Sequence, residues 1–182
     1  MFQRKLRRVE GPNLALRLVC PDDAEYVFAL RTNPAYNLYL SEVRGTASDQ
    51  RRWIEDYKAR EADLQELYYV IERKDGVRCG LVRLYDIGPS SFTWGSWILD
   101  HNKTRKAALE SAILSLGVGF TDIGLSSAMV EVRRENERAR NFYVRFGMTE
   151  LRSVEDKDYF ICRREIFEAN RERFMTILQA EG

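Results

Sequence analysis

Hydrophobic positions along this chain recur with two periods, and the switches between them predict its elements. Leu14-Ala15-Leu16-Arg17-Leu18-Val19 reads as a strand. Pro21-Asp22-Asp23 opens a helix, with Asp22 as predicted N-cap and Ala24, Val27, Phe28 and Leu30 on its apolar side. Asn33-Pro34 ends it, because the residue before a proline is pushed out of helical geometry. Residues 35–45 show no firm period and read as a loop or a short helix. Ser48 then caps a helix to about Ala62, with Trp53, Ile54 and Tyr57 facing inward.

Strands 67–73 and 78–87 flank Lys74-Asp75-Gly76-Val77, and Asp-Gly between β-rich runs is a hairpin signal. Gly88-Pro89-Ser90-Ser91 turns the chain into a third strand, 92–99. Gly95 inside that strand predicts a bulge or a close backbone approach. If the strand is regular, Trp94 and Trp97 lie on opposite faces. Ala108, Ala112, Ile113, Leu116 and Phe120 share a helical face over 105–120, and Gly124 stops that helix. A strand at 128–133 follows, then a helix from Glu135 or Asn136 to Gly147. Strands 149–154 and 159–163 around a turn and a final amphipathic helix, 167–180, complete the chain. The order β-α-α-β-β-β-α-β-α-β-β, antiparallel in the middle with one late parallel crossover, predicts a mixed α/β, α+β-like fold. We expect a single domain over 13–182 behind a solvated basic arm, 1–12.

Composition narrows the partners. The 182 residues carry 29 basic and 28 acidic side chains, a net charge of +1, so the global footprint of a nucleic-acid or anionic-membrane binder is missing. No apolar run is long enough to span a bilayer, and the basic start lacks the apolar segment of a signal peptide. Three scattered cysteines read as small core hydrophobes of a reducing compartment, so a cytoplasmic location is expected. With one histidine and no close cysteine pair, no metal site is expected.

Candidate chemistry concentrates in 96–147. An apolar strand runs into the polar loop 100–104 and then a helix, a geometry suited to gripping phosphate. Lys103, Arg105 and Lys106 add charge there, and Asn102 or Thr104 is placed to cap the helix. On the later strand Glu131 alternates with Val130 and Val132, so it faces away from them, as Arg133 does; an exposed Glu–Arg pair is the plain alternative to a catalytic role. Tyr143 follows Asn136 by seven residues, two helical turns, and so shares its face; packing beside Phe142 and Phe146 is the other reading.

The run Val130-Glu131-Val132-Arg133-x-x-Asn136-x-x-Ala139-x-x-Phe142-Tyr143-x-x-Phe146-Gly147, with the order of elements from Leu14 onward, resembles the Gcn5-related N-acetyltransferase family. The resemblance implies acetyl transfer from acetyl-CoA to a primary amine. It implies Tyr143 as general acid and, from the branch that acetylates ribosomal-protein N-termini, Glu131 as general base acting through water. Glu42, Glu72, Asp86, Asp100 and His101 stand as alternatives. It places the cofactor along Ile98 and Leu99, on Asn102, Lys103, Thr104, Arg105, Lys106 and Ala107, and beside Asn136 and Arg140. The acceptor would meet Tyr36, Tyr39, Glu42 and Arg44 and the strand aromatics Trp94 and Trp97. The chain departs from the family's loop pattern at Thr104 and Lys106, which stand where glycines are usual. Thr93-Trp94-Gly95-Ser96-Trp97-Ile98 and Glu110-Ser111 are similar to members that acetylate nucleotide-linked aminosugars. A protein N-terminus is the second acceptor class, and a non-catalytic domain of the same fold is the competing reading. A homodimer through a late edge strand is compatible with the pattern.

Overall fold

The computed structural model describes residues 2–180, with side chains from Lys5 onward. Met1, Glu181 and Gly182, and with them the outer ends of the predicted arm and domain, lie outside the described residues. The predicted mixed α/β fold is present. One sheet of eight strands runs in the order β1-β2-β3-β4-β5-β6-β8-β7. These are β1 (Arg8–Glu10), β2 (Leu14–Leu18), β3 (Leu67–Arg73), β4 (Arg78–Tyr85), β5 (Ser91–Leu99), β6 (Ser127–Arg133), β7 (Thr149–Val154) and β8 (Lys157–Arg163). Every neighbouring pair is antiparallel except β5–β6.

The basic N-terminus is not a solvated arm. It forms α1 (Phe2–Arg7) and β1, which extends the sheet at its edge. Leu6 is buried and its carbonyl accepts the buried Tyr69 hydroxyl at 2.9 Å. Arg8 pairs with Glu10 and Glu72, and Lys74 reaches Glu10. Of the cations that suggested a tail, Arg8 is thus matched by two carboxylates, Glu72 being remote in sequence.

Helices cover both faces. On one side α2 (Ala24–Thr32) and α4 (Ala47–Ala62) bury Val27, Leu30, Ile54 and Tyr57 against Tyr68, Val70, Leu81 and Ile98. Between them lies the short α3 (Pro34–Asn37). On the other side α5 (Ala107–Gly117), α6 (Glu137–Phe146) and α7 (Arg164–Gln179) pack on Tyr69, Phe92, Trp94, Val130 and Phe160. Burying these apolar faces is the dominant favourable term in the fold.

The helix starts differ from expectation. Thr46, not Ser48, caps α4: it accepts the Asp49 N–H at 3.2 Å while Asp49 accepts the Thr46 N–H at 2.8 Å. This reciprocal arrangement satisfies two end donors at once. At the first helix the buried Asp23, not Asp22, turns back to the Cys20 N–H at 2.9 Å. Burial would raise the Asp23 carboxyl, but the Arg17 guanidinium, 2.6 Å away, and that N–H outweigh it and hold it at about 2.

Inside α5, Glu110 is fully buried. Its carboxylate accepts the N–H groups of Asn13 and Leu14 at 2.7 and 2.8 Å and the Asn13 amide at 3.1 Å. It thereby fixes the entry to β2. A Cβ at Gly11 would stand 2.5 Å from that carboxylate, so this position needs glycine.

Candidate active site

The parting of β5 from β6 organises the site. The two pair only over Ser91–Thr93 and Ser127–Met129. Beyond that register β5 stays bonded to β4 through Leu99, while β6 continues on β8. The edge of β5 turned toward β6 is therefore released from sheet pairing after Thr93. Unpaired backbone groups inside a domain call for an outside partner, water or a ligand that offers donors and acceptors in series.

A bulge accompanies the parting. Arg83 pairs with Gly95 and Leu81 with Ile98, so three steps on β5 match two on β4. Ser96 absorbs the extra residue with φ +48°, a left-handed conformation that L-residues adopt at a cost. Gly95 lies against the Tyr85 ring, where a Cβ would be 3.2 Å from the hydroxyl. The shift places Trp94 and Trp97 on the same face, with ring centroids 4.9 Å apart. Trp94 donates to Ser115 Oγ at 2.8 Å and Trp97 to Ser111 Oγ at 3.1 Å, both on α5. Trp94 is wholly buried and belongs to the core, not to an acceptor surface, whereas Trp97 reaches the cleft.

A cavity of about 440 Å³ occupies the parting. Of the cofactor residues expected from the sequence, Ile98, Leu99, Lys103, Arg105 and Asn136 line it. Of the acceptor residues, Tyr36 and Trp97 do. Ala35, Ala108, Arg138, Ala139, Phe142 and Arg145 also line it and were missed. The periodicity of α6 was the available signal, since Arg138, Phe142 and Arg145 recur at helical spacing beside Asn136.

Other expected residues lie elsewhere. Arg140 turns away to the buried Asp158, 2.6 Å from its Nε, on β8. The Ser153 hydroxyl, with Arg140 and Arg134, holds the Asp158 carboxyl below its usual range. Glu42 and Arg44 pair with each other at 3.0 Å in the open, 71% and 85% exposed at their side chains, and do not line the cavity. Tyr39 donates to the Glu135 carbonyl at 3.4 Å, and Tyr36 accepts the His101 N–H at 3.2 Å. The segment after α2 therefore bridges the parting, touching the end of β5 with one tyrosine and the end of β6 with the other.

The loop from Asp100 to Lys106 holds its shape without glycine. Asp100 is buried, accepts the Tyr26 hydroxyl at 2.9 Å and the Asn102 N–H at 2.7 Å, and so closes the turn. Burial and the Asp100 carboxylate push the Tyr26 hydroxyl pKa up. Neither Thr104 nor Lys106 has a positive φ, so their departure from glycine costs no backbone strain. Lys106 sends its ammonium to the Ile177 carbonyl on α7, away from the cavity. Ala107 is buried beneath the helix start. No side chain caps α5, and the Thr104 Oγ1 is buried with no hydrogen-bond partner. An uncapped N-terminus, an orphaned hydroxyl and the cations Lys103 and Arg105 together suit a phosphate group.

Tyr143 is 6% exposed, edge-on to Trp94 and Phe160 at 6.1 and 5.7 Å between centroids. Burial pushes its pKa up, so the hydroxyl keeps its proton at neutral pH. Glu131 stands two residues past the last β6 residue paired with β5, on the face opposite α6. Its partner is Lys157 at 2.6 Å; Arg133 pairs with Asp156 instead. Among the remaining carboxylates weighed as bases, Glu72 is engaged by Arg17 and Arg8.

Among the described residues, no cluster of His, Cys, Asp and Glu suits a metal, and no helix is long and apolar enough to cross a membrane. All three cysteines are free.

A parted strand pair with an uncapped helix and a basic loop at its mouth suits an extended ligand that carries phosphate. The chain belongs to the GNAT acetyltransferase family, whose domain model matches residues 13–149. It is an N-acetyltransferase, and its acyl donor is acetyl-CoA. Among solved structures it is similar to FdhC, described as a nucleotide-linked sugar GNAT, at 35% identity and TM-score 0.85 over 92% of this chain and 96% of that one. A spermidine N-acetyltransferase from Vibrio cholerae, in complex with CoA and spermine, shares the fold at 20% identity and TM-score 0.76, over 87% of this chain and 99% of that one. No curated protein matches the sequence.

Proposed function

We propose that the acceptor is the amine of a nucleotide-linked aminosugar. The observation that carries this reading is the likeness to FdhC, at 35% identity across 92% of the chain. The cavity adds a physical reason. Its lining includes Lys103, Arg105, Arg138 and Arg145 but no Asp or Glu. Arg138 and Arg145, the cations of these walls not assigned to the donor's phosphates, disfavour a polycation such as spermidine and attract a nucleoside diphosphate sugar.

When bound, acetyl-CoA supplies an activated thioester carbonyl and a thiolate leaving group. The released edge of β5 from Gly95 to Leu99 offers backbone groups that orient it, and the α5 N-terminus with Thr104, Lys103 and Arg105 holds phosphate. Tyr143, protonated in its aromatic pocket, gives its Oη proton to the departing sulfur. Glu131, on the far face just past the parting and beside Lys157, accepts the amine proton through water. Tyr36 and Trp97 steer the acceptor from the α3 side. Free cysteines fit a cytoplasmic enzyme.

The test is release of free CoA with a panel of nucleotide-linked aminosugars, spermidine and peptides with free N-termini. Turnover confined to the nucleotide-linked amines is the expected result. Equal or faster turnover of spermidine or of peptides would overturn the assignment.

A further inference from the structure

The face of the sheet opposite α6 carries an aromatic side chain at the parting, Tyr85 at the end of β4. Tyr85 pairs in register with Thr93, and Thr93 with Met129, so these residues form a row on that face. The next row along holds Gly95 on β5 and Glu131 on β6. Had the β5–β6 pairing run on, Gly95 and Glu131 would be neighbours. Gly95 brings no side chain to that row, and Tyr85 fills the space diagonally. A Cβ on Gly95 would stand 3.2 Å from the Tyr85 hydroxyl and 3.3 Å from its ring edge. The hydroxyl thus lies over the β5 backbone where the strands separate, on the side from which Glu131 acts.

The ring is held in that pose. The Arg83 guanidinium lies 4.8 Å from its centroid and is itself anchored, Nε donating to the buried Glu66 at 3.2 Å. Tyr85 is half-buried, and among the described residues its hydroxyl has no hydrogen-bond partner. The charges around it are Arg83, Glu131, Asp86 and Lys157. Burial is the main cause that pushes its pKa up; Glu131 and Asp86 add to it, and Arg83 and Lys157 oppose it. The hydroxyl keeps its proton at neutral pH, so it offers a donor and an acceptor but no charge.

We infer that Tyr85 is a positioning residue for proton removal: its hydroxyl fixes, over Gly95, the water through which Glu131 takes the amine proton. That water passes one hydrogen to the Glu131 carboxylate as it receives the amine proton, and the Tyr85 oxygen holds its second hydrogen. The amine nitrogen is left with the lone pair that attacks the thioester, and Tyr85 neither gains nor loses a proton. Glu131, Tyr85 and the amine give the water the set of partners that an ordered water needs. The inference rests on Glu131 as base, as proposed above, and is independent of which amine is the acceptor.

A double-mutant cycle in steady-state turnover tests it, run with the fastest amine of the panel. Tyr85→Phe keeps the ring beside Arg83 and removes only the hydroxyl, and circular dichroism checks that the fold is kept. It is expected to lower kcat about tenfold, the rate equivalent of one hydrogen bond, with KM for acetyl-CoA unchanged. In the Glu131→Gln background the same change is expected to lower kcat by less than about twofold, since the water then serves no base. A packing role would give the same loss in both backgrounds, and that result would overturn the inference. Full turnover in Tyr85→Phe beside a loss in Glu131→Gln would remove Tyr85 alone. Full turnover in Glu131→Gln would remove the base and this inference with it. Faster turnover of spermidine or peptides would overturn the acceptor assignment and leave the cycle as expected.

Discussion

The two ends of the β5–β6 pair are built to opposite ends. At Ser91–Thr93 the strands are bonded, and the Phe92 ring is buried against Phe120 at 5.5 Å between centroids and against Gly119, where a Cβ would come within 2.3 Å. Past Thr93 the strands separate, Ser96 takes a left-handed turn, and cations line the gap. The joined end holds the sheet together, and the parted end presents an unpaired strand edge and cations to a ligand. Stability and activity are thus assigned to adjacent stretches of the same strands.

Substitutions can test that division. At the joined end, Phe92→Ala is expected to cost about 3–5 kcal/mol, because no neighbour can fill the lost ring. Denaturant unfolding measures it, and a loss under 1 kcal/mol would show that the joined end is not the anchor. At the parted end, Tyr143→Phe is expected to lower turnover about a hundredfold or more, with stability changed by about 0.5 kcal/mol or less. Unchanged turnover would remove Tyr143 from the acid role. Ser96→Val forces a β-branched residue into the left-handed region and is expected to cost about 1–2 kcal/mol. It also displaces Trp97 from Ser111, so CoA titration should weaken, and retained affinity would mean the bulge does not shape the cleft.

Near neutral pH the smallest effect is ionic. Burial pushes the Cys79 and Cys162 thiols up to about 12 from an ordinary value of 9.0. A folded-state value above the unfolded one means that this stabilisation is complete below pH 9 and is lost as pH rises from 9 toward 12. Unfolding midpoints should therefore hold from pH 7 to 8.5 and fall above 9. A flat profile to pH 11 would show that the thiols gain water when they ionise. Tyr143, raised for the same reason, should keep its proton throughout the working range, so no alkaline loss of rate below about pH 10 is assigned to it.

Much of the fold is legible in periodicity, since a half-buried strand or helix writes its face into the local sequence. The strands from 67 to 99, the Asp75-Gly76 hairpin, the late crossover and the helix ending at Gly147 all follow from it. Features that depend on remote partners are not legible this way. The arm became α1 and β1 because Tyr69 donates to its Leu6 carbonyl, Glu72 accepts from Arg8 and Lys74 donates to Glu10. Arg140, expected at the cofactor, is drawn to Asp158, eighteen residues on and buried. Thr46 won the cap over Ser48 because its backbone N–H and hydroxyl both meet Asp49.

The sequence alone determined that Asn136 and Tyr143 share a helix face beside a strand bearing Glu131, because 3.6-residue and 2-residue repeats fix neighbours on the same element. Only the tertiary structure decided which of those faces meets a cavity. It turned Trp97 to the side of Trp94 through a bulge at Ser96, and it brought α7, past the end of the family's segment, beside α5 and α6. A bulge is set by how one strand's register meets another's, and a cleft by elements far apart in the chain. Neither is encoded in any local repeat.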